Sequence, residues 1–189
     1  MPLNLPNLLT WLRILMIPLL VAVYYLPHDW IANHQKNLVA AAIFSIAAIT
    51  DWLDGYLARV LNQISRFGAF LDPVADKLMV ATALILLVWL GRVEGFIAAI
   101  IIGREIAISA LREWMAQIGR SRNVAVSFLG KVKTLSQMFA IVLLLYHDEV
   151  LNFNSQAIGN FLIYVAAILT LWSMVYYLRM ALPELTREE

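Results

Sequence analysis

The segment Leu38-Val-Ala-Ala-Ala-Ile-Phe-Ser-Ile-Ala-Ala-Ile-Thr50-Asp51-Trp-Leu-Asp54-Gly55-Tyr-Leu-Ala58-Arg59-Val-Leu61 decides the fold. It runs uncharged from Leu38 to Thr50, then places two aspartates before it ends. About 20 predominantly apolar residues span a bilayer as a helix, and the segment has that length. A carboxylate at membrane depth costs on the order of 2.5 to 3.5 kcal/mol on insertion scales, so Asp51 and Asp54 point to function rather than to anchoring.

The whole chain agrees with a membrane setting. Of its 189 residues 62% are hydrophobic and only 14% charged, and the mean hydropathy is +0.77. This excludes an ordinary soluble domain and fits one membrane domain over residues 1–189. The absence of cysteine excludes disulfide and thiol chemistry. Further apolar runs cover Leu8 to Leu26, Ala69 to Leu90, Phe96 to Trp114, Leu129 to Tyr146 and Ile158 to Leu178. With Leu38 to Leu61 they predict an all-α bundle of six transmembrane helices, up and down, because the connections are short.

Basic residues orient the bundle. An N-terminus in the cytosol puts Arg13, Arg59, Arg66, Arg112, Arg120, Arg122, Lys131, Lys133, Arg179 and Arg187 on the inner side and only Lys36 and Arg92 outside. Both termini are then cytosolic, and Lys77 and Arg104 lie in the inner half. Tyr24-Tyr25, Trp30, Trp114 and Tyr176-Tyr177 read as interfacial aromatics without a functional role. Membrane lipids are the expected surroundings, and no nucleic acid is expected as a partner.

Asp51 and Asp54 are three residues apart, and Asp72 and Asp76 four apart, so each pair projects from one helix face. A hairpin of two such helices aims four carboxylates into one gap. Carboxylates suit hard cations such as Mg²⁺ or Mn²⁺, and Mg²⁺ is commonly shared between a few carboxylates and substrate phosphates. Asp51 and Asp54 fall near a helix C-terminus, where the macrodipole disfavours them. Asp72 and Asp76 fall near a helix start, where it helps. Gly55, Ala58 and Gly68 leave room for close approach, and Arg59 reaches phosphate or an acid. The alternative is a set of interfacial charges, with Asp72 capping a helix that begins at Pro73.

The pattern Asp51-x-x-Asp54-Gly55-x-x-Ala58-Arg59, eight residues, Gly68, three residues, Asp72, three residues, Asp76 resembles the signature of the CDP-alcohol phosphotransferase family without departure. The resemblance implies that Asp51, Asp54, Asp72 and Asp76 hold two divalent ions, Mg²⁺ or Mn²⁺, against the diphosphate of a CDP-linked donor. It implies nucleotide-side roles for Gly55, Ala58, Arg59 and Gly68, and makes Asp76 the general base on the incoming hydroxyl. Asn7-Leu-Leu9-Thr10-Trp-Leu-Arg13 resembles the segment that approaches the nucleotide in phospholipid-synthesising members, which adds Asn7 and Thr10 to a CDP-diacylglycerol site; Arg13 also reads as a residue snorkelling to the surface.

Gly103-Arg104-Glu105 to Arg112-Glu113 and Gly130-Lys131-Val-Lys133-Thr134-Leu-Ser-Gln137 resemble the branch whose acceptor is glycerol 3-phosphate. Arg104 lies deep and needs an anion, either an acid such as Glu105 or a bound phosphate. The implied reaction moves a phosphatidyl group from CDP-diacylglycerol to sn-glycerol 3-phosphate. The acceptor phosphate would rest on Arg104, Arg112 and Lys131 or Lys133. The resemblance further implies a homodimer in a bacterial inner membrane with the site facing the cytosol. Other readings of the same residues are a sibling transferase for serine or inositol phosphate, a divalent-cation transporter, and a non-catalytic scaffold.

Overall fold

The computed structural model describes residues 5–61, 66–118, 128–149 and 154–185, with the side chains of residues 5, 6, 58, 59, 66, 67, 69, 128–131 and 183–185 outside that description. Six helices make up the described residues: α1 (Leu5–Tyr25), α2 (Asn33–Val60), α3 (Arg66–Trp89), α4 (Gly95–Gln117), α5 (Phe128–Tyr146) and α6 (Ser155–Leu185). Each corresponds to one of the predicted apolar runs. Three of them carry stretches long and apolar enough to cross a membrane, Asn7–Tyr25, Asn33–Leu57 and Ser155–Leu182. Charges dilute the hydropathy of α3 and α4, Asp72, Asp76 and Lys77 in the first and Arg104, Glu105, Arg112 and Glu113 in the second, and the described apolar stretch of α5, Val132–Tyr146, is shorter.

The start of α3 corrects the sequence reading. The helix begins at Arg66, so Pro73 lies inside it rather than in its first turn, and Asp72 does not cap it. Asp72 and Asp76 therefore sit beyond the reach of the helix N-terminal charge, which fades within the first turn.

Small residues let the helices approach. Ala40, Ala47, Ala83, Ala140, Ala166 and Ala167 are all buried, interleaved with Leu20, Phe44, Leu84, Leu87, Ile101, Ile141 and Leu144. Alanine at contact faces is how helices pack where lipid is as apolar as the core. The outer surface carries Leu15, Leu19, Ile46, Ile49, Ile85, Ile106, Phe139, Phe161 and Ile168, all exposed. The α5–α6 and α1–α2 pairs make the broadest contacts, and α4 packs on α6 through Ile108, Met115, Tyr177 and Ala181.

A polar knot closes one end of the bundle. Gly91, at φ 69°, ends α3 in a turn where Gly91 N–H bonds Val88 O and Arg92 N–H bonds Leu87 O. The turn aims Arg92 at the end of α5, where its Nη1 donates to Leu144 O (3.0 Å) and Leu145 O (2.9 Å) while Nη2 donates to Asn37 Oδ1 (2.7 Å). His34 pairs with Asp148 at 2.8 Å, and Lys36 donates to Leu26 O.

Candidate active site

The aspartates gather at the other end, about 20 Å along α2 from Asn37 at about 1.5 Å per residue. Asp54 is buried and Asp51 is partly exposed, both on α2. Asp51 and Asp54 each interact electrostatically with Asp72, and Asp51 does so with Asp76, so the two acidic pairs share one gap. Gly55 borders it: a Cβ built there meets nothing within 4 Å. Gly68 and Asn7 are buried.

A basic residue read as a surface anchor enters this gap. Arg13 is 1% exposed; its Nη1 lies 2.7 Å from Asp51 Oδ1 and its Nη2 donates to Asp54 Oδ2. Arg13 therefore does not snorkel, since two carboxylates hold it in the protein interior. Thr10, one turn earlier on the same face of α1, donates its hydroxyl to Asp72 Oδ1. The helix α1 thus supplies a guanidinium and a hydroxyl to acids on α2 and α3. With these groups seated, no three acids among the described residues converge on one point tightly enough to hold a single ion. The donor chemistry still fits hard divalent cations, because Arg13 offsets only one of four carboxylate charges.

A second cluster adjoins the first. Arg104 is buried on α4, its Nη2 donating to Ser173 Oγ at 2.9 Å and its Nη1 to Glu105 Oε1 at 3.3 Å. Lys133, 2% exposed on α5, donates to the same Glu105 oxygen. Arg112 Nη2 donates to the Tyr177 hydroxyl at 3.3 Å. Both guanidiniums lie over the Tyr177 ring, Arg104 at 5.8 Å and Arg112 at 5.2 Å from its centroid. Tyr177 is fully buried, which corrects its reading as an interfacial aromatic: cations on two turns of α4 claim its face and its hydroxyl. The Nε atoms of Arg104 and Arg112 are buried without a hydrogen-bond partner among the described residues.

A cavity of about 100 Å³ lies between the clusters, lined by Asp76, Lys77, Glu105, Thr134 and Gln137 among others. It joins the last aspartate to the acid that gathers Arg104 and Lys133. The structure thus brings together Asp51, Asp54, Asp72 and Asp76, with Thr10 at the first cluster, and Arg104, Arg112 and Lys133 at the second. The side chains of Ala58, Arg59 and Lys131 lie outside the described residues. The sequence reading missed Arg13 as a counter-ion and gave Ser173, Tyr177 and Gln137 no role. Only Arg13 carried a usable signal, as a cation one turn from Thr10 on a helix next to four acids.

A family model described as CDP-alcohol phosphatidyltransferase matches residues 3–172, nearly the whole chain. The chain belongs to the CDP-alcohol phosphatidyltransferase family. A protein of Salmonella choleraesuis strain SC-B67 is 51% identical over 98% of each chain. Proteins of Shigella flexneri and of Escherichia coli strain K12 are each 50% identical over the same share. All three relatives are named CDP-diacylglycerol--glycerol-3-phosphate 3-phosphatidyltransferase. Family membership gives the two clusters a common context, one acidic face beside one basic pocket on a phosphatidyltransferase scaffold.

Proposed function

We propose that this family member transfers the phosphatidyl group of CDP-diacylglycerol to sn-glycerol 3-phosphate, releasing CMP. The observation that carries the acceptor is the pair of buried, unpartnered Nε–H groups on Arg104 and Arg112; Glu105, to which Arg104 donates, lines a cavity that also reaches Asp76. Buried guanidinium donors without partners are costly, and a phosphate monoester satisfies them with charge-assisted hydrogen bonds. Full-length similarity to relatives named for this reaction supports the same reading.

In the proposed mechanism Asp51, Asp54, Asp72 and Asp76 hold Mg²⁺ or Mn²⁺, two ions being expected. Such ions would neutralise the donor diphosphate and ease departure of CMP. Asn7, Thr10, Gly55, Ala58, Arg59 and Gly68 form the donor side. Arg104, Arg112 and Lys133, with Lys131 on the same helix, hold the acceptor phosphate, and Tyr177 and Ser173 fix the two arginines. A substrate anchored this way presents its terminal hydroxyl to Asp76, which accepts the proton as the oxygen attacks phosphorus. Positioning two reactants in this way accounts for a large share of the rate, and no covalent nucleophile is needed.

The same proposal includes six membrane spans, both termini in the cytosol and the acidic face at the cytosolic surface of a bacterial inner membrane. The segregation of Lys36 and Arg92 to one end and of Arg13, Arg104, Arg112 and Lys133 to the other supports that orientation. A homodimer belongs to the proposal through family resemblance alone. The cationic cluster speaks against a cation pathway, since buried positive charge repels a transported cation.

The test is CMP release by purified protein from CDP-diacylglycerol across a panel of acceptors, glycerol 3-phosphate, serine and inositol phosphate. Turnover with glycerol 3-phosphate and not with the others is expected. Arg104→Ala should raise the glycerol 3-phosphate KM by about 10- to 150-fold, the worth of one charged hydrogen bond. A comparable rise in the CDP-diacylglycerol KM would overturn the assignment.

A further inference from the structure

Gln137 has no part in the chemistry above, yet it is among the most enclosed polar groups near the site. It is 3% exposed, it lines the cavity beside Asp76, and its Oε1 is buried without a hydrogen-bond partner among the described residues. A buried amide oxygen left without a donor is costly in free energy, and a bound group that donates to it relieves that cost. The cavity has room for about three waters at roughly 30 Å³ each, the bulk of a short polyol. Lys133 lies four residues before Gln137 on the same face of α5, and its bond to Glu105 ties that face to Arg104.

These positions bracket a three-carbon acceptor. In the acceptor reading above its phosphate rests on the Arg104 cluster, which Glu105 joins to the cavity, and its terminal hydroxyl faces Asp76 in the cavity wall, so the hydroxyl on the middle carbon falls in the cavity. Glu105 already accepts from two cations through Oε1, whereas Gln137 Oε1 accepts from none among the described residues. An amide oxygen also receives a hydroxyl proton without adding negative charge beside a phosphate and a carboxylate. We infer that Gln137 accepts a hydrogen bond from the middle hydroxyl of the acceptor, so that the site reads its substrate as a phosphorylated diol rather than as a simple alkyl phosphate. The inference rests on the acceptor reading above.

The test compares glycerol 3-phosphate with 3-hydroxypropyl phosphate, which keeps the phosphate and the terminal hydroxyl and lacks the middle one. Steady-state kinetics on the full-length protein with CDP-diacylglycerol should give a kcat/KM about 10- to 100-fold lower for the deoxy acceptor. In Gln137→Leu the two values should converge to within about threefold, because the acceptor atom that discriminates them is gone. Equal use of both acceptors by the unsubstituted protein overturns the inference. So does a ratio that survives in Gln137→Leu, or a variant that loses activity on both acceptors in equal proportion, which marks a structural role. The comparison in the unsubstituted protein stands if the variant fails to fold. Failure of the unsubstituted protein to release CMP with glycerol 3-phosphate would instead overturn the functional reading, and the inference with it.

Discussion

Replacing Arg13 by Leu tests whether its guanidinium stands where a metal ion's charge would act. Arg13 and the Asp54 carboxylate are 1% and 4% exposed, a fully enclosed pair, whereas the Asp51 carboxylate is 45% exposed. Breaking an enclosed pair by removing one partner costs about 3–5 kcal/mol, and a half-exposed pair adds at most about 1 kcal/mol. A loss of about 4 kcal/mol in a chain of this size lowers Tm by about 8–16 °C, at about 2–4 °C per kcal/mol. A ligand present at about 100 times its Kd returns about 2.7 kcal/mol. Mn²⁺ should therefore recover more than half of the deficit in Arg13→Leu, and should stabilise the unsubstituted protein less because Arg13 competes for the same carboxylates. The assay is thermal unfolding in detergent, with EDTA or with Mn²⁺. A variant as stable as the parent in EDTA refutes the burial argument, and a deficit untouched by Mn²⁺ refutes the exchange of guanidinium for metal.

Two further outcomes follow from the packing. A Cβ on Gly159 would lie 2.8 Å from Leu144 Cγ and 3.3 Å from Leu143 Cβ, so Gly159→Ala should cost about 1–3 kcal/mol in thermal unfolding by overpacking the α5–α6 contact, with partial relief from Leu144→Ala. Tyr177→Leu removes the ring beneath both guanidiniums and should raise the glycerol 3-phosphate KM about 5- to 30-fold with little change for CDP-diacylglycerol, while Tyr177→Phe keeps the ring, loses only the hydroxyl that accepts from Arg112, and should give a smaller rise.

Helix number and order were legible because hydropathy and helix length act locally along the chain. The start of α3 was not, because Pro73 looks like a first-turn residue from sequence and the turn before it holds no competing signal. The nearness of the two aspartate pairs followed from their spacing on two adjacent helices, although no three acids among the described residues converge on one point. The fate of Arg13 did not, since its partner Asp54 is 41 residues away and an arginine near a helix end reads equally well as a surface anchor. Tyr177 and Ser173 were hidden for the same reason: α6 meets α4 only after the chain has crossed α5, and each lies more than 60 residues from its arginine. A long-range contact leaves no period in the local sequence, so buried cations disclose their partners only in three dimensions.

The Arg92 knot sets one end of the bundle apart from the other. There, the Arg92 side chain bonds two main-chain carbonyls of α5 and the side-chain amide of Asn37 on α2, so one guanidinium ties the ends of α3, α5 and α2 together. At the opposite end side-chain charge pairs join the helices, Arg13 against two acids and Lys133 against Glu105. The two ends of the bundle are therefore tied by different chemistry, neutral carbonyl and amide acceptors around Arg92 at one end and opposed charges around Arg13 and Lys133 at the other.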